Sequence, residues 1–224
     1  MYVLVVDTAT AAVTAGVVEL TDSEVMPIAS RITVNARAHG ELLSPGIADA
    51  LAGAGIGPAG IGAIVAGVGP GPYTGLRVGL VTATAMGQAL GVPTYGVCSL
   101  DGIGAATAEP GRLVAATDAR RREIYWRAYE AGVPFTEPAV DRPDAVAARL
   151  ESLGVTGAAG DGALRYAETL GVPVTEDHRY PDPLTLARLA ADRIRDIAPS
   201  EPLTPLYLRR PDAALPGARK PVLR

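Results

Sequence analysis

Few residues in this chain are equipped for bond-making chemistry, and their spacing narrows the set further. Asp7-Thr8 follows the apolar run Tyr2–Val6, so the acid stands at the C-terminal edge of a strand, where open α/β sheets place ligand-binding groups. There it would hold a metal-bound phosphate or close a turn on its own backbone, and the local sequence leaves both open. Asp118 ends the run Leu113–Asp118 in the same way. The loop Gly67-Val-Gly69-Pro-Gly71-Pro-Tyr-Thr74-Gly75 leads into a helix, and free N–H groups at a helix start bind phosphate. No Lys-Ser/Thr pair follows, so it is not a Walker loop, and Pro72 stands where GxGxxG needs glycine. Its plainer reading is a tight strand-to-helix turn capped by Thr74. His39-Gly-Glu41 lacks the second histidine of HExxH, and His39, Ser44 and Asp49 share one local segment without a nucleophile elbow, so no protease constellation exists. His178 lies in an acidic, proline-rich loop and reads as solvated. Tyr125, Trp126 and Tyr129 follow Arg120–Arg122, a pattern open to nucleic-acid contact but more often a hairpin with core-facing aromatics.

The elements that must position these groups follow from apolar spacing. Tyr2–Val6, Val13–Leu20 and Ile28–Val34 read as an antiparallel meander. Glu41–Ala52 is a helix on Leu43, Ile47, Ala50 and Leu51, with Pro45 admissible only in its first turn. Strand Ala63–Val68, helix Thr74–Ala89 and strand Val92–Val97 complete a β-β-β-α-β-α-β order. The second half echoes it. Strands Leu113–Asp118 and Ile124–Tyr129, helix Asp144–Leu153, strand Val155–Ala159 and helix Ala163–Leu170 follow, and a constant offset sets Val3 against Val114, Asp7 against Asp118 and Val13 against Ile124. The expectation is a duplicated α/β domain, divided into residues 1–98 and 99–224. The last helix, about 184–198, would pack back on the first lobe, and the tail 211–224 would be mobile.

The 224 residues carry a net charge of −4 and one cysteine, Cys98, which excludes an internal disulfide or a multi-cysteine metal cage. Mild acidity gives no overall nucleic-acid footprint. The first residues lack a signal-peptide pattern, so the cytoplasm is the expected compartment. Between Leu51 and Leu100 the only charge is Arg77. A membrane span would explain this, but Pro58, Pro70, Pro72 and Pro93 interrupt the stretch. Burial or a covering partner remains. In the Thr74–Ala89 helix, Leu76, Leu80 and Ala83 line one side and Arg77, Val81, Thr84 and Gln88 another, while Gly75, Gly79, Ala83 and Gly87 form a small-residue stripe. A helix packed on more than one face suits a partner helix better than a cofactor.

The segments DTATAAVTAGVV, RAHGELLSPGIADAL and VGPGPYTGLRVGLVTATAMGQALGVPTYGVCSLDGI, with TDARRREIYW, GDGALRY and PLYLRRPDA downstream, resemble the TsaB family in order along nearly the whole chain. The resemblance implies an actin-like ATPase (ASKHA) fold with two RNase-H-like lobes. It implies a non-catalytic subunit that activates TsaD, the paralogue that transfers threonylcarbamoyl to adenosine 37 of tRNAs reading codons that start with A. TsaE would join the complex, tRNA would be met indirectly through it, and the chain would form a homodimer when TsaD is absent. No membrane is involved. No intrinsic cofactor is implied, and nucleotide would bind only at the interface with TsaD. Ser99 and Ile103 fall at the metal-binding histidines of TsaD, so no metal is expected, and Asp7, Thr8, Gly69, Gly71, Thr74 and Asp118 would belong to degenerate nucleotide-type loops. The partner interface carries over onto Leu42, Leu43, Ile47, Leu51, Tyr73, Leu76, Arg77, Leu80, Val81 and Thr84. Helix phase turns Arg77, Val81 and Thr84 outward and sets Leu76, Leu80 and Ala83 against the sheet. The competing reading is a stand-alone small-molecule kinase of the same fold, using Asp7 and the GPGPYTG loop.

Overall fold

The computed structural model describes residues 1–107 and 111–209. The tail expectation for 211–224 therefore lies outside the described residues. Strands β1 (Tyr2–Asp7), β2 (Ala12–Leu20), β3 (Val25–Val34), β4 (Ile61–Gly67) and β5 (Thr94–Val97) form a sheet in the order β3-β2-β1-β4-β5. The meander β1–β3 is antiparallel, while β4 and β5 run parallel to β1. Helices α1 (His39–Gly53) and α2 (Tyr73–Leu90) cover one face through Leu4, Val6, Leu43, Ile47, Ile64, Leu76 and Leu80.

The second sheet is built on β6 (Arg112–Asp118), β7 (Ile124–Glu130), β8 (Val133–Pro134), β9 (Ala139–Asp141), β10 (Gly157–Ala159) and β11 (Val174–Thr175). Its order is β11-β10-β6-β7-β8, with β9 also pairing β7. β6 pairs antiparallel with β7 and parallel with β10, as β1 does with β2 and β4. Both central strands end in aspartate. The repeat suspected from the constant offset is thus present in the topology. Helix α3 (Asp101–Gly104) joins the sheets, and α4 (Pro143–Leu153), α5 (Asp161–Arg165) and α6 (Ala167–Leu170) accompany the second. Its core gathers Trp126, Ile124, Val146 and Leu150, each almost fully buried.

Helix α7 (Pro183–Arg195) belongs by sequence to the second half but covers the other face of the first sheet. Leu186, Ala187, Ala190 and Ile194 pack there on Val3, Val5, Val65 and Tyr95. Pro183 lies so close to Gly16 that a β-carbon added at Gly16 would stand 2.7 Å from its ring.

Three local expectations are corrected. Pro45 is the seventh residue of α1 rather than in its first turn. The helix starts two residues earlier than expected, and the exposed ring sacrifices one hydrogen bond on the solvent side. Pro72, not Thr74, precedes α2, and no side chain caps it. The expected helix Ala163–Leu170 is two short helices, broken where Tyr166 leaves the helical region at φ −119°.

Candidate functional site

The strand-end acid Asp7 faces inward. Its side chain is 1% exposed, Oδ1 accepts from the Ala9 amide at 2.9 Å and Oδ2 accepts from the Ser99 hydroxyl at 2.5 Å. Ser99 in turn accepts from the Gly69 amide through Oγ, at 3.1 Å. Burial pushes the Asp7 carboxyl up to about 6, against the opposing pull of these hydrogen bonds. A carboxylate so enclosed ties the end of β1 to the β4–α2 loop and the turn before α3. Gly67 has to be glycine here, because a β-carbon would collide with that carboxylate. Thr8 performs a similar task. Its hydroxyl donates to the Gly75 carbonyl at 2.8 Å and accepts from the Gly79 amide at 2.9 Å, pinning α2 to the end of β1. Gly71 presses on the Ala9 backbone. The six loop residues singled out in the sequence therefore divide. Asp7, Thr8, Gly69 and Gly71 are structural, Thr74 is exposed at the start of α2, and Asp118 opens onto a cleft.

That cleft, about 770 Å³, lies between the lobes. Thr8, Thr10, His39 and the start of α2 line one wall, and Asp118, Arg120, Asp161, Arg165, Arg179 and Tyr180 line the other. His39 is held by the Thr10 carbonyl at 2.8 Å. Asp161 is pushed up to about 6 by burial, with the nearby Asp118 charge adding to the shift. Asp161 and Arg165 lie in the segment GDGALRY, but nothing in local spacing marks them or Arg179 as cleft residues.

Beyond Asp118 the β6–β7 turn has an unusual backbone. Arg120, Arg121 and Arg122 all take positive φ, at 61°, 54° and 62°. A non-glycine residue in this region costs about 1–2 kcal/mol. The turn is held by the Arg120 amide on Asp118 Oδ1 and by the Glu123 amide on the Arg120 carbonyl.

Of the ten residues proposed for a partner interface, Leu43, Ile47, Leu51, Leu76 and Leu80 are corrected. All are at most 5% exposed inside the chain's own core, where the sheet uses the apolar surface that sequence could equally assign to a partner. Leu42 is half-buried against that core. Tyr73, Arg77, Val81 and Thr84 remain at the surface of α2, with Val81 66% exposed. Arg77 lies 3.6 Å over the Tyr73 ring and donates from Nε to the Tyr207 hydroxyl at 2.8 Å, while Tyr73 and Tyr207 stack at 5.2 Å. Tyr207 lies 130 residues from Arg77, and nothing in local spacing could have brought it there.

The metal that the fold family associates with the Ser99–Ile103 segment does not fit these residues. Ser99 is spent on Asp7, and Ile103, which has no donor atom, is buried with Ala115, Tyr129 and Ala159. Cys98, pushed up to about 12 by burial, is no thiolate nucleophile. No described helix is long and apolar enough to cross a membrane.

The fold defines the class first: two lobes, each with an RNase-H-like sheet, in the arrangement of actin-like ATPases. The ethanolamine utilization protein EutJ of Carboxydothermus hydrogenoformans shares it at a TM-score of 0.51 and 14% identity, a likeness of fold alone, over 84% of this chain and 89% of that one. Residues 33–177 match the family model "TsaD: tRNA N6-adenosine threonylcarbamoyltransferase". The chain belongs to that family, as a TsaB-like protein carrying a TsaD-like domain. The tRNA threonylcarbamoyladenosine biosynthesis protein TsaB of Escherichia coli is 34% identical over 135 residues, 54% of this chain and 58% of that protein. YeaZ from Pseudomonas aeruginosa superposes with a TM-score of 0.75 at 27% identity, over 92% of this chain and 99% of that one. An uncharacterized protein of Mycobacterium leprae is 46% identical over 94% of this chain, which spans 55% of that relative's length.

Proposed function

We propose that this chain is a non-catalytic subunit in tRNA threonylcarbamoyladenosine synthesis, one that associates with TsaD through the outer face of α2 and activates threonylcarbamoyl transfer to adenosine 37 of tRNAs reading codons that start with A. The observation that carries the reading is the engagement of Asp7. In a working phosphotransferase of this fold the strand-end acid must be open to metal and phosphate. Here both its oxygens are committed to Ala9 and Ser99. The stripe Arg77, Val81, Thr84, exposed on α2 opposite the buried Leu76, Leu80 and Ala83, supports a helical partner, TsaD or a second copy of this chain. On this reading TsaE joins through TsaD, and nucleotide binds only where the subunits meet.

The test is reconstitution of threonylcarbamoyl transfer with TsaD, TsaE and tRNA, with and without this chain. Modified adenosine is expected at least tenfold faster with it. Equal rates would overturn the activating role. Titration of the isolated chain with ATP and Mg²⁺ checks the kinase reading, for which turnover would be decisive.

A further inference from the structure

Arg77 is the one charged residue of α2. The residues exposed beside it, Tyr73, Val81, Thr84, Ala85 and Gln88, are all uncharged. Its guanidinium is nonetheless held in one pose. Cζ lies 3.6 Å from the centre of the Tyr73 ring, and Nε donates to the Tyr207 hydroxyl at 2.8 Å. The two Nη atoms meet no hydrogen-bond or ion-pair partner among the described residues. Arg31, Arg127 and Arg193 differ, since each sets a terminal nitrogen on a carboxylate of the chain itself. Tyr207 reaches α2 from the C-terminal segment, and its neighbours fix it there. The Leu206 amide donates to the Val68 carbonyl at 2.8 Å, and Leu208 packs with Leu100 and Tyr125. The ring of Tyr207 stacks on Tyr73 at 5.2 Å, so its hydroxyl stands at a set point beside Arg77.

From this geometry we infer that Arg77 recognises a carboxylate on a different subunit that covers α2, and that Tyr207 is the positioning residue that holds the guanidinium for it. The inference rests on the proposed function for the identity of that subunit, TsaD, and adds the charge it must bring. With Nε spent on Tyr207, the fork left for a carboxylate is the end-on pair Nη1 and Nη2. Stacking on Tyr73 restrains the long side chain before the partner arrives, so less freedom is lost when the pair forms. Charge complementarity decides against a second copy of this chain. A twofold contact sets the same patch against itself, so two α2 faces would bring together two cations and no acid. A cation covered without an acid weakens the contact.

The test uses the full-length chain, with isothermal titration against TsaD and sedimentation of the chain alone. Arg77→Gln should weaken TsaD binding about 30-fold or more, while self-association holds or tightens. Raising salt should narrow the gap in TsaD affinity between wild type and Arg77→Glu, because one partner charge attracts the first and repels the second. Tyr207→Phe keeps the ring and removes the hydroxyl. It should weaken TsaD binding about fivefold in the wild type and add nothing in the Arg77→Gln background. Thermal midpoints of these variants should stay within about 2 °C of wild type, since both side chains are at the surface. Unchanged TsaD affinity in Arg77→Gln overturns the inference. So does a gap between wild type and Arg77→Glu that ignores salt. Additive losses overturn the role given to Tyr207. Self-association weakened by Arg77→Gln as much as TsaD binding would make a second copy the occupant, with the exposed Glu41 of α1 as its acid. Val81→Asp keeps the two ideas apart. If it abolishes TsaD binding and Arg77→Gln does not, the α2 face stands and the carboxylate contact falls. A wild type that binds no TsaD overturns the subunit reading, and the assigned occupant with it.

Discussion

Asp7 and Ser99 show what one buried pair can govern. A carboxyl held near 6 in the folded chain, against 3.8 when exposed, binds its proton more tightly folded than unfolded. The stabilising contribution is therefore complete below about pH 4 and is lost as pH rises through about 6. It amounts to about 3 kcal/mol. Comparing wild type with Asp7→Asn by urea unfolding should show the wild type gaining on the variant by roughly 2–3 kcal/mol between pH 7.5 and pH 4.5. A difference that stays flat with pH would contradict the buried-carboxyl assignment. Ser99→Ala removes a hydrogen bond to that carboxylate and should cost about 2 kcal/mol at pH 7.5. It should also move the pH window upward, since the Ser99 bond opposes the effect of burial.

At the scale of elements, α2 is the decisive piece. Neighbouring residues on it have opposite fates, with Leu80 5% exposed and Val81 66% exposed. Leu80→Asp puts a charge into the core and should prevent folding at 37 °C. Val81→Asp should leave the thermal midpoint within about 2 °C of wild type, yet abolish self-association and binding to TsaD in sedimentation. Unchanged sedimentation of Val81→Asp would move the partner face elsewhere. The same helix is fixed at its start by Thr8, and a β-carbon at Gly79 would stand 2.5 Å from the Thr8 hydroxyl oxygen. Gly79→Ala should therefore push α2 off the β1 end and weaken partner binding even though residue 79 is buried. Retained affinity in that variant would mean that α2 adjusts without moving its outer face.

For the whole molecule, the lobes are coupled by chain exchange. The helix α7 arrives after the second sheet is complete, but its apolar side closes the first lobe's outer face. The segment beyond it continues the tie. Glu201 pairs with Arg193 and accepts from the Gly96 amide, the Leu206 amide donates to the Val68 carbonyl, and Leu208 packs with Leu100 and Tyr125. Leu186 is fully buried, so Leu186→Ala should cost about 2–5 kcal/mol. Hydrogen exchange should locate the loss in β1 and β2, about 170 residues away in sequence, as well as in the helix. Protection lost only over residues 183–195 would show that the first lobe stands without α7.

Local pattern was enough for much of this. Alternation and short apolar runs give the strands of the first sheet, because a strand buried against helices must be apolar. Helix period separates Leu76, Leu80 and Ala83 from Arg77, Val81 and Thr84, because the 3.6-residue turn decides side without reference to the rest of the chain. The two strands that end in aspartate, at one offset, reveal the repeat. What the sequence could not decide is which apolar face meets the chain's own sheet and which meets a partner, since a leucine suits either. Leu43, Ile47 and Leu51 look like interface residues until the sheet is seen beneath them. Nor could it join residues that only packing brings together: Ser99 to Asp7 across 92 positions, Tyr207 to Arg77 across 130. The three arginines of the β6–β7 turn were visible as letters. Local hydrogen bonds to Asp118 and Arg120 hold that turn, but Tyr73 and Tyr207 come beside it only because two lobes and a returning C-terminal segment meet there.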